Sequence, residues 1–156
     1  MTRITFAATL AVVGALSSDH GFSDGSVVLC KPDSMRWVDG PPSLLAGAKV
    51  AVLEGDMSKP GPFVARAKMP DGYRVPPHTH PKAERLTILK GTFLLGMGET
   101  FDESKMETLP AGSYGIRAAG MKHFAMVKGE TIIQIHGDGP WSIDYLNLAD
   151  DPRNKK

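Results

Sequence analysis

The chain has 156 residues, with 18 basic and 17 acidic side chains and a formal net charge of +1. A chain of this length is expected to form one domain and to bury about 68–70% of the surface that its unfolded form exposes. Because the opposite charges are interspersed, the sequence provides no electrostatic basis for binding nucleic acid or an anionic membrane surface. We therefore expect neither kind of partner.

The first eighteen residues, MTRITFAATLAVVGALSS, have the pattern of an export signal. Arg3 supplies a positive start, and residues 4–16 form an apolar, alanine-rich stretch that is too short for a stable membrane anchor. Ala15 and Ser17 fit the small-residue positions of a cleavage site. An amphipathic helix is the alternative, but no polar stripe recurs at helical spacing. The sequence predicts a signal peptide over residues 1–18 and an exported protein, periplasmic or secreted, without a membrane anchor.

Residues 19–48 form an N-terminal extension that is rich in glycine, serine and aspartate. Short strands are predicted there over residues 27–29 and 35–38, and Trp37 is expected to cover part of the domain. Cys30 is the only cysteine, so no intrachain disulfide can form. We expect its thiol to be buried or incidental, and no histidine lies near it in sequence to activate it as a nucleophile.

From residue 49 onward, short strand-like stretches alternate with glycine and proline. The predicted strands cover residues 49–54, 63–69, 74–76, 85–89, 93–97, 114–117, 123–127, 131–136 and 143–146. Short strands at this spacing, with no convincing helix between them, are typical of an all-β sandwich or barrel. We assign residues 49–147 to this barrel, residues 99–108 to a polar surface loop within it, and residues 148–156 to a charged, solvated tail.

The stretch GYRVPPHTHPKAERLTILKG, residues 72–91, carries the clearest chemical pattern. His78 and His80 are two positions apart, so on an extended strand both imidazoles point to the same side. Pro76-Pro77 rules out a helix before them, and a turn after them returns Glu84 toward the same pocket. Two neutral nitrogens and a carboxylate that meet at one point are ligands for a transition metal. Three unrelated polar residues in a surface loop are the alternative.

The spacing of these residues resembles the first motif of the cupin superfamily: glycine, five residues, His-x-His, three residues, glutamate, six residues, glycine. The second cupin motif is matched less closely, by Gly112, Gly120 and His123. Ala118 stands in place of its proline, and Val127 stands in place of its asparagine. The resemblance covers most of the chain, and we assign no role to Val127.

The resemblance implies a double-stranded β-helix, or jelly-roll barrel, that holds one divalent transition metal. Its expected ligands are His78, His80, Glu84 and His123. Fe, Mn, Ni, Co, Cu and Zn are all compatible with this set. Four ligands in an octahedral arrangement leave about two positions open, whereas a closed structural zinc site more typically uses cysteines. Cupins often pair as dimers through their sheets, so a homodimer is a further expectation.

Four other side chains are candidates for contact with a small-molecule ligand. Arg66 and Arg74 lie on strands that flank the first motif, where either could clamp a carboxylate. An exposed arginine that pairs with surface carboxylates is the simpler alternative for each. Tyr73 and Gln134 could accept a hydrogen bond from the second nitrogen of a metal-bound imidazole. Trp141 is predicted to be a core aromatic residue and not a platform for the ligand.

Two classes of function are compatible with such a site. In the first, the protein is a metalloenzyme that acts on a small oxygen-rich molecule. It is then either a dioxygenase or a lyase or isomerase in which the metal acts as a Lewis acid. In the second, the protein is a non-catalytic module that binds or senses a small ligand through its metal. The fold alone does not decide between these classes.

Overall fold

The structure is a computed structural model that describes Val27 and residues 29–155. Within these residues it contains nine strands: β1 (Val38–Asp39), β2 (Lys49–Glu54), β3 (Gly61–Met69), β4 (Arg74–Thr79), β5 (Glu84–Met97), β6 (Met106–Pro110), β7 (Tyr114–Arg117), β8 (His123–Gly139) and β9 (Asp144–Tyr145). The helical elements of the described residues are short 3-10 turns at Pro32–Ser34, Glu103–Lys105 and Pro152–Asn154. None of these turns has the length or apolar character that crossing a membrane requires. The all-β prediction is confirmed.

The two longest strands, β5 and β8, run antiparallel along most of their length and hold the fold together. The C-terminal part of β8 pairs with β3, and β2 and β1 continue that side of the sheet. The N-terminal part of β8 pairs with β4, which in turn pairs with β9. β5 pairs with β7 near its start and with β6 near its end. The sheet therefore curls on itself, and the predicted jelly-roll barrel is confirmed.

Glycine allows the long strands to bend within this curled sheet. Gly91 in β5 has a φ angle of +76°, and a Cβ atom there would lie only 2.6 Å from the carbonyl oxygen of Glu130. The β5–β8 register shifts on both sides of Lys90. The prediction of separate strands over residues 85–89 and 93–97 is therefore corrected, because the chain continues as one strand through a bend that only glycine fits.

The predicted surface loop over residues 99–108 is partly a strand. Asp102 caps the turn at Glu103–Lys105 by accepting a hydrogen bond from the backbone N–H of Ser104, at 3.0 Å. The chain then forms β6, which pairs with the second half of β5. Only one face of this edge strand packs against the core, where Leu109 is half-buried. One apolar face on a short strand is a weak sequence signal, which is why its polar residues indicated a loop.

Alternate residues of each strand face the interior and form the core. On β3, Phe63, Ala65 and Ala67 are buried, whereas the residues between them are partly exposed. On β8, Ile133 and Ile135 are buried in the same way. We call the side of the sheet that carries these buried residues the inner face and the opposite side the outer face. The inner face surrounds the site described below.

The N-terminal residues only partly match their prediction. The predicted signal peptide, residues 1–18, lies outside the described residues. Val27 and Leu29 are not in a strand, Val28 is not described, and the next strand starts at Val38. Cys30 is exposed. Trp37 covers part of the outer face as predicted, because the Nζ atom of Lys68 on β3 lies 4.8 Å from the centre of its ring.

Most of residues 148–155 are exposed, but Asp151 is buried and joins this segment to the barrel. Asp151 is 6% exposed and accepts hydrogen bonds from Nε and Nη2 of Arg153, at 2.8 and 2.7 Å. Nη2 of Arg153 also donates to the carbonyl oxygen of Ile143, at 3.1 Å. Asp151 and Arg153 therefore pair with each other, and the bond from Arg153 to Ile143 holds the turn at Pro152–Asn154 on the domain.

Candidate metal centre

Three histidines meet inside the barrel because neighbouring strands place them there. His78 on β4 and His123 at the start of β8 are partners in the sheet register. His80 follows directly after β4 and, being two positions from His78, lies on the same side. All three are buried, with exposures of 2–4%. One ring nitrogen from each lies within 4.8 Å of the others, so the structure brings together the three histidines that the sequence predicts.

Backbone carbonyls determine which ring nitrogen of each histidine is free. The Nδ1 atoms lie within hydrogen-bond distance of a carbonyl oxygen, at 2.7 Å from Pro76 for His78, 2.7 Å from Ser142 for His80 and 2.9 Å from Met121 for His123. A carbonyl oxygen can only accept, so each Nδ1 carries the proton and each Nε2 keeps its lone pair. Such bonds fix the orientation of a metal-binding imidazole.

Burial keeps the three imidazoles neutral at physiological pH. It is the largest cause that lowers the pKa of His78 to about 3, of His80 to about 4 and of His123 to about 2. The charge of Arg117 lowers all three pKa values further, and neighbouring imidazoles do so for His78 and His123. Three neutral Nε2 lone pairs that face a common point are a donor set that divalent first-row metals bind. The residues therefore fit a metal ion.

Glu84 lies beside the histidines, as predicted, and it is also paired with an arginine. Its Oε2 atom is 3.5 Å from Nε2 of His80 and 4.0 Å from Nε2 of His123. Arg117, the last residue of β7, is the register partner of Glu84 and donates from Nη2 to the same oxygen. Both residues are buried, with exposures of 4% and 5%. Glu84 therefore adds a negative charge to the histidine cluster while a positive charge holds it in place.

The histidines line the polar part of a cavity in the barrel. Its empty volume, counted out to the open mouth, is about 660 Å³. Trp141 also lines the cavity and stacks on His80, with ring centroids 4.5 Å apart and an interplanar angle of 21°. Trp141 packs against the core, as predicted, and it also borders the cavity. Most of the remaining wall is apolar, as in other small-ligand pockets.

The four predicted ligand-contact residues are not drawn to the histidines. Arg66 borders the cavity, but its Nε atom donates to Oε1 of Gln134 on the outer face, at 2.9 Å. Arg74 is exposed and pairs with Glu103. Tyr73 is buried and donates its hydroxyl to a backbone carbonyl in the loop before β2. The acceptors expected from Tyr73 and Gln134 are instead the backbone carbonyls described above.

Comparison with known proteins assigns the family. Residues 26–142 match the family model described as the ChrR cupin-like domain. The chain belongs to this cupin family. A curated relative, Germin-like protein 5-1 from Oryza sativa subsp. japonica, is 33% identical to this cupin over 90 residues. That alignment covers 57% of this chain and 40% of the relative, so the chain spans about two fifths of the relative's length.

Two solved structures share the fold of this cupin. The polyketide cyclase RemF from Streptomyces resistomycificus has a TM-score of 0.63 at 15% identity, over 82% of this chain and 91% of that one. A putative acetylacetone dioxygenase from Methylibium petroleiphilum has a TM-score of 0.61 at 17% identity, over 84% and 88% of the two chains. Similarity at such low identity shows the fold and not the activity. It confirms the cupin resemblance of the sequence motif.

Proposed function

We propose that this cupin binds one divalent transition metal through His78, His80, His123 and Glu84 and acts with it on a small oxygen-containing molecule. The convergence of three neutral imidazoles inside a cavity carries the proposal. When bound, the metal would supply a Lewis acid or, if it is redox-active, a centre for O₂ chemistry. Fe, Mn, Ni, Co, Cu and Zn are all compatible with nitrogen and carboxylate ligands.

The side chains around the site would hold the ligands in position. The Nδ1–H bonds to backbone carbonyls keep each Nε2 directed at the centre. Arg117 restricts the rotation of Glu84, and Trp141 packs against one side of His80. The remainder of the wall is mostly apolar and offers few groups that would bind water. These features favour a preorganised centre over a loose surface site.

The composition of the cavity wall narrows the class of reaction. Its titratable side chains, among the described residues, are Arg66, His78, His80, Glu84, Arg117 and His123. Four of these are the proposed metal ligands, and arginine does not serve as a base near neutral pH. The wall therefore offers no separate acid or base, which a lyase or isomerase usually needs. A dioxygenase-type reaction fits this wall best.

The same observation favours a second candidate, a non-catalytic module that binds or senses a small ligand through its metal. A binding module needs a metal, a cavity and a few polar contacts, and it does not need an acid or base. The two candidates share the metal centre. They differ in whether a ligand is consumed.

Metal content and O₂ uptake test these candidates. The protein would be loaded separately with Fe(II), Mn, Ni, Co, Cu and Zn, and its metal measured by mass spectrometry. His123→Ala removes a proposed ligand, and His136→Ala is the matched control because His136 lies on the outer face and contacts Gln134. We expect about one metal per chain in the wild type and in the control, and a large loss in His123→Ala. Equal metal in all three proteins would overturn the proposal.

An oxygen electrode then separates enzyme from binding module. Diketones, flavonols, catechols and thiols would be screened with each loaded form. O₂ uptake that is present in the wild type and in His136→Ala, and lost in His123→Ala, supports a dioxygenase. A compound that raises the melting temperature of the loaded protein without being consumed supports the binding module.

We also propose that the protein is exported, to the periplasm or the exterior, because residues 1–18 have the pattern of a signal peptide. Expression of the full chain in a bacterium followed by fractionation and N-terminal sequencing tests this. The expected product is a shortened chain outside the cytoplasm that begins close to residue 19. Recovery of the uncleaved chain in the cytoplasm alone would contradict it.

A further inference from the structure

We propose that the cavity binds a monocarboxylate with an apolar body, whose carboxylate is held by Arg117 beside the metal centre. The inference rests on the proposed metal function and extends it to the chemical class of the ligand. It is carried by two properties of the described residues, unpartnered hydrogen-bond donors and an apolar wall, and by the positive charge that the proposed metal would add.

Apart from the Nε2 atoms of the proposed metal ligands, the unpartnered groups of the cavity are donors. Among the described residues, the buried side-chain nitrogen and oxygen atoms without a hydrogen-bond partner are Nε and Nη1 of Arg117 and Nε1 of Trp141. Both residues line the cavity. Buried polar groups are nearly always paired, because an unmade bond costs stability. The Nε2 lone pairs of the three histidines would be taken up by the proposed metal, so the donors that remain suit a molecule that supplies acceptors.

The charge of the site favours an anion among such molecules. Arg117 is 5% exposed, and although burial lowers its pKa to about 10, the guanidinium remains charged near neutral pH. Glu84 compensates this one charge. The buried histidines are neutral, so a bound divalent metal would leave an excess of two positive charges at the polar part of the cavity. An ammonium ligand would be repelled, whereas a carboxylate would reduce this excess.

The rest of the wall requires an apolar body. The apolar residues that line it include Leu44, Val50, Met57, Leu86, Phe93 and Ile133. A ligand that is polar along its whole length would lose hydrogen bonds to water against this surface without replacing them. The cavity opens to solvent, and its empty volume of about 660 Å³ includes that open space. A ligand with one anionic group and a compact hydrocarbon body matches both the polar part of the cavity and its apolar wall.

Calorimetry with matched ligands tests the inference on the full chain loaded with Zn. The probes are 3-phenylpropionate and octanoate, each paired with its uncharged primary amide, which has the same size and keeps a carbonyl acceptor. We expect the carboxylates to bind at least tenfold more tightly than the amides. Equal affinities within a pair, or no binding of either carboxylate below about 10 mM, would overturn the proposal.

Variants assign this preference to Arg117. Arg117→Met removes the guanidinium, and Arg117→Lys keeps the charge beside Glu84 while removing Nε and the planar donors. We expect Arg117→Met to lose at least tenfold in carboxylate affinity and Arg117→Lys to lose several-fold, with little change for the amides. Trp141→Phe keeps the ring and removes Nε1–H, and should lose about twofold to fivefold for both probes. The control is Arg74→Met, which removes an exposed arginine and should change nothing. A preference that survives in both Arg117 variants would overturn the assignment.

Metal analysis of the same samples keeps this inference distinct from the proposed function. Bound Zn without a preference for carboxylates would overturn the inference and leave the metal proposal intact. An Arg117-dependent preference in a protein that binds no metal would support the carboxylate site and contradict the metal proposal. His123→Ala, which is expected to lose the metal, measures the contribution of Arg117 without it. It should retain part of the preference, because Arg117 lies on a different strand from the substituted histidine.

Discussion

Arg117 and Arg66 belong to the same sheet but have opposite surroundings. Arg117 is buried on the inner face, where one nitrogen binds Glu84 and two have no partner. Arg66 is half-buried, and its guanidinium donates to Gln134 on the outer face and to Sδ of Met35. The first arginine has donors left for a ligand, and the second is engaged in holding the surface together. Whether an arginine can bind a ligand in the cavity therefore depends on which face of the sheet it lies on, and not on how close it is to a motif in the sequence.

The pH dependence of the metal-free protein is the largest effect expected from the inner face. Burial holds the pKa values of His78, His80 and His123 at about 3, 4 and 2, below the ordinary histidine value of 6.5. At a pH between these lowered pKa values and 6.5, the three histidines take up protons in the unfolded chain but stay neutral in the folded chain. The stability from these groups is therefore complete above about pH 6.5 and is lost as the pH falls.

From pH 7 to pH 5 this linkage should lower the free energy of unfolding by about 2 kcal/mol for each histidine that stays neutral. Urea denaturation in the presence of EDTA measures it. His123→Gln serves as the matched variant and should reduce the dependence, because it removes one of the three titrating groups. Stability that is constant over this range, or the same slope in the variant, would contradict a buried neutral cluster.

Arg117→Met is expected to have the next largest effect. It leaves the buried carboxylate of Glu84 without its counter-charge, which typically costs about 3–5 kcal/mol in unfolding free energy. Denaturation of the metal-free protein measures this cost, and the added substitution Glu84→Gln should recover much of it. If the double variant is no more stable than Arg117→Met, the ion pair is not the cause.

Arg66→Met on the outer face should have the smallest effect. It removes a half-buried hydrogen bond to Gln134 and a contact with Met35, which together contribute about 0.5–1.5 kcal/mol. Metal content should be unchanged, because the guanidinium of Arg66 does not reach the histidines. Loss of metal in this variant would contradict the conclusion that the outer face of the sheet does not contribute to the site.

The histidine cluster was predictable because local rules place most of it. Alternation along a strand puts His78 and His80 on one side, and a tight turn returns Glu84 to them. The complete first motif supports the resemblance to cupins, and the second motif of that resemblance placed His123 in the same cluster. The structure brings these residues together as expected. Alternation over a few neighbouring residues can be recognised in the sequence alone.

The partners of the cluster were not predictable because they depend on register between distant segments. Arg117 meets Glu84 only through the pairing of β7 with β5, across 33 positions of the chain. The carbonyl that binds His80 comes from Ser142, 62 positions away. Neither contact has a local pattern. The signal available for Arg117 was its position inside the second motif, six residues before His123, on a predicted strand.

Errors in the predicted strands have a related physical cause. Glycine normally marks the end of a strand, yet Gly91 lets β5 bend and continue. Polar composition normally marks a loop, yet β6 is an edge strand with one packed face. In both cases, pairing with a neighbouring strand outweighed the local preference of the sequence.

Crystallography of the metal-loaded protein, with anomalous scattering recorded at the metal's absorption edge, tests the central claim most directly. The account predicts a single strong anomalous peak inside the barrel, bonded to Nε2 of His78, His80 and His123 and to a carboxylate oxygen of Glu84. A peak at the protein surface only, or an internal peak that lacks two of the three imidazoles, would contradict it.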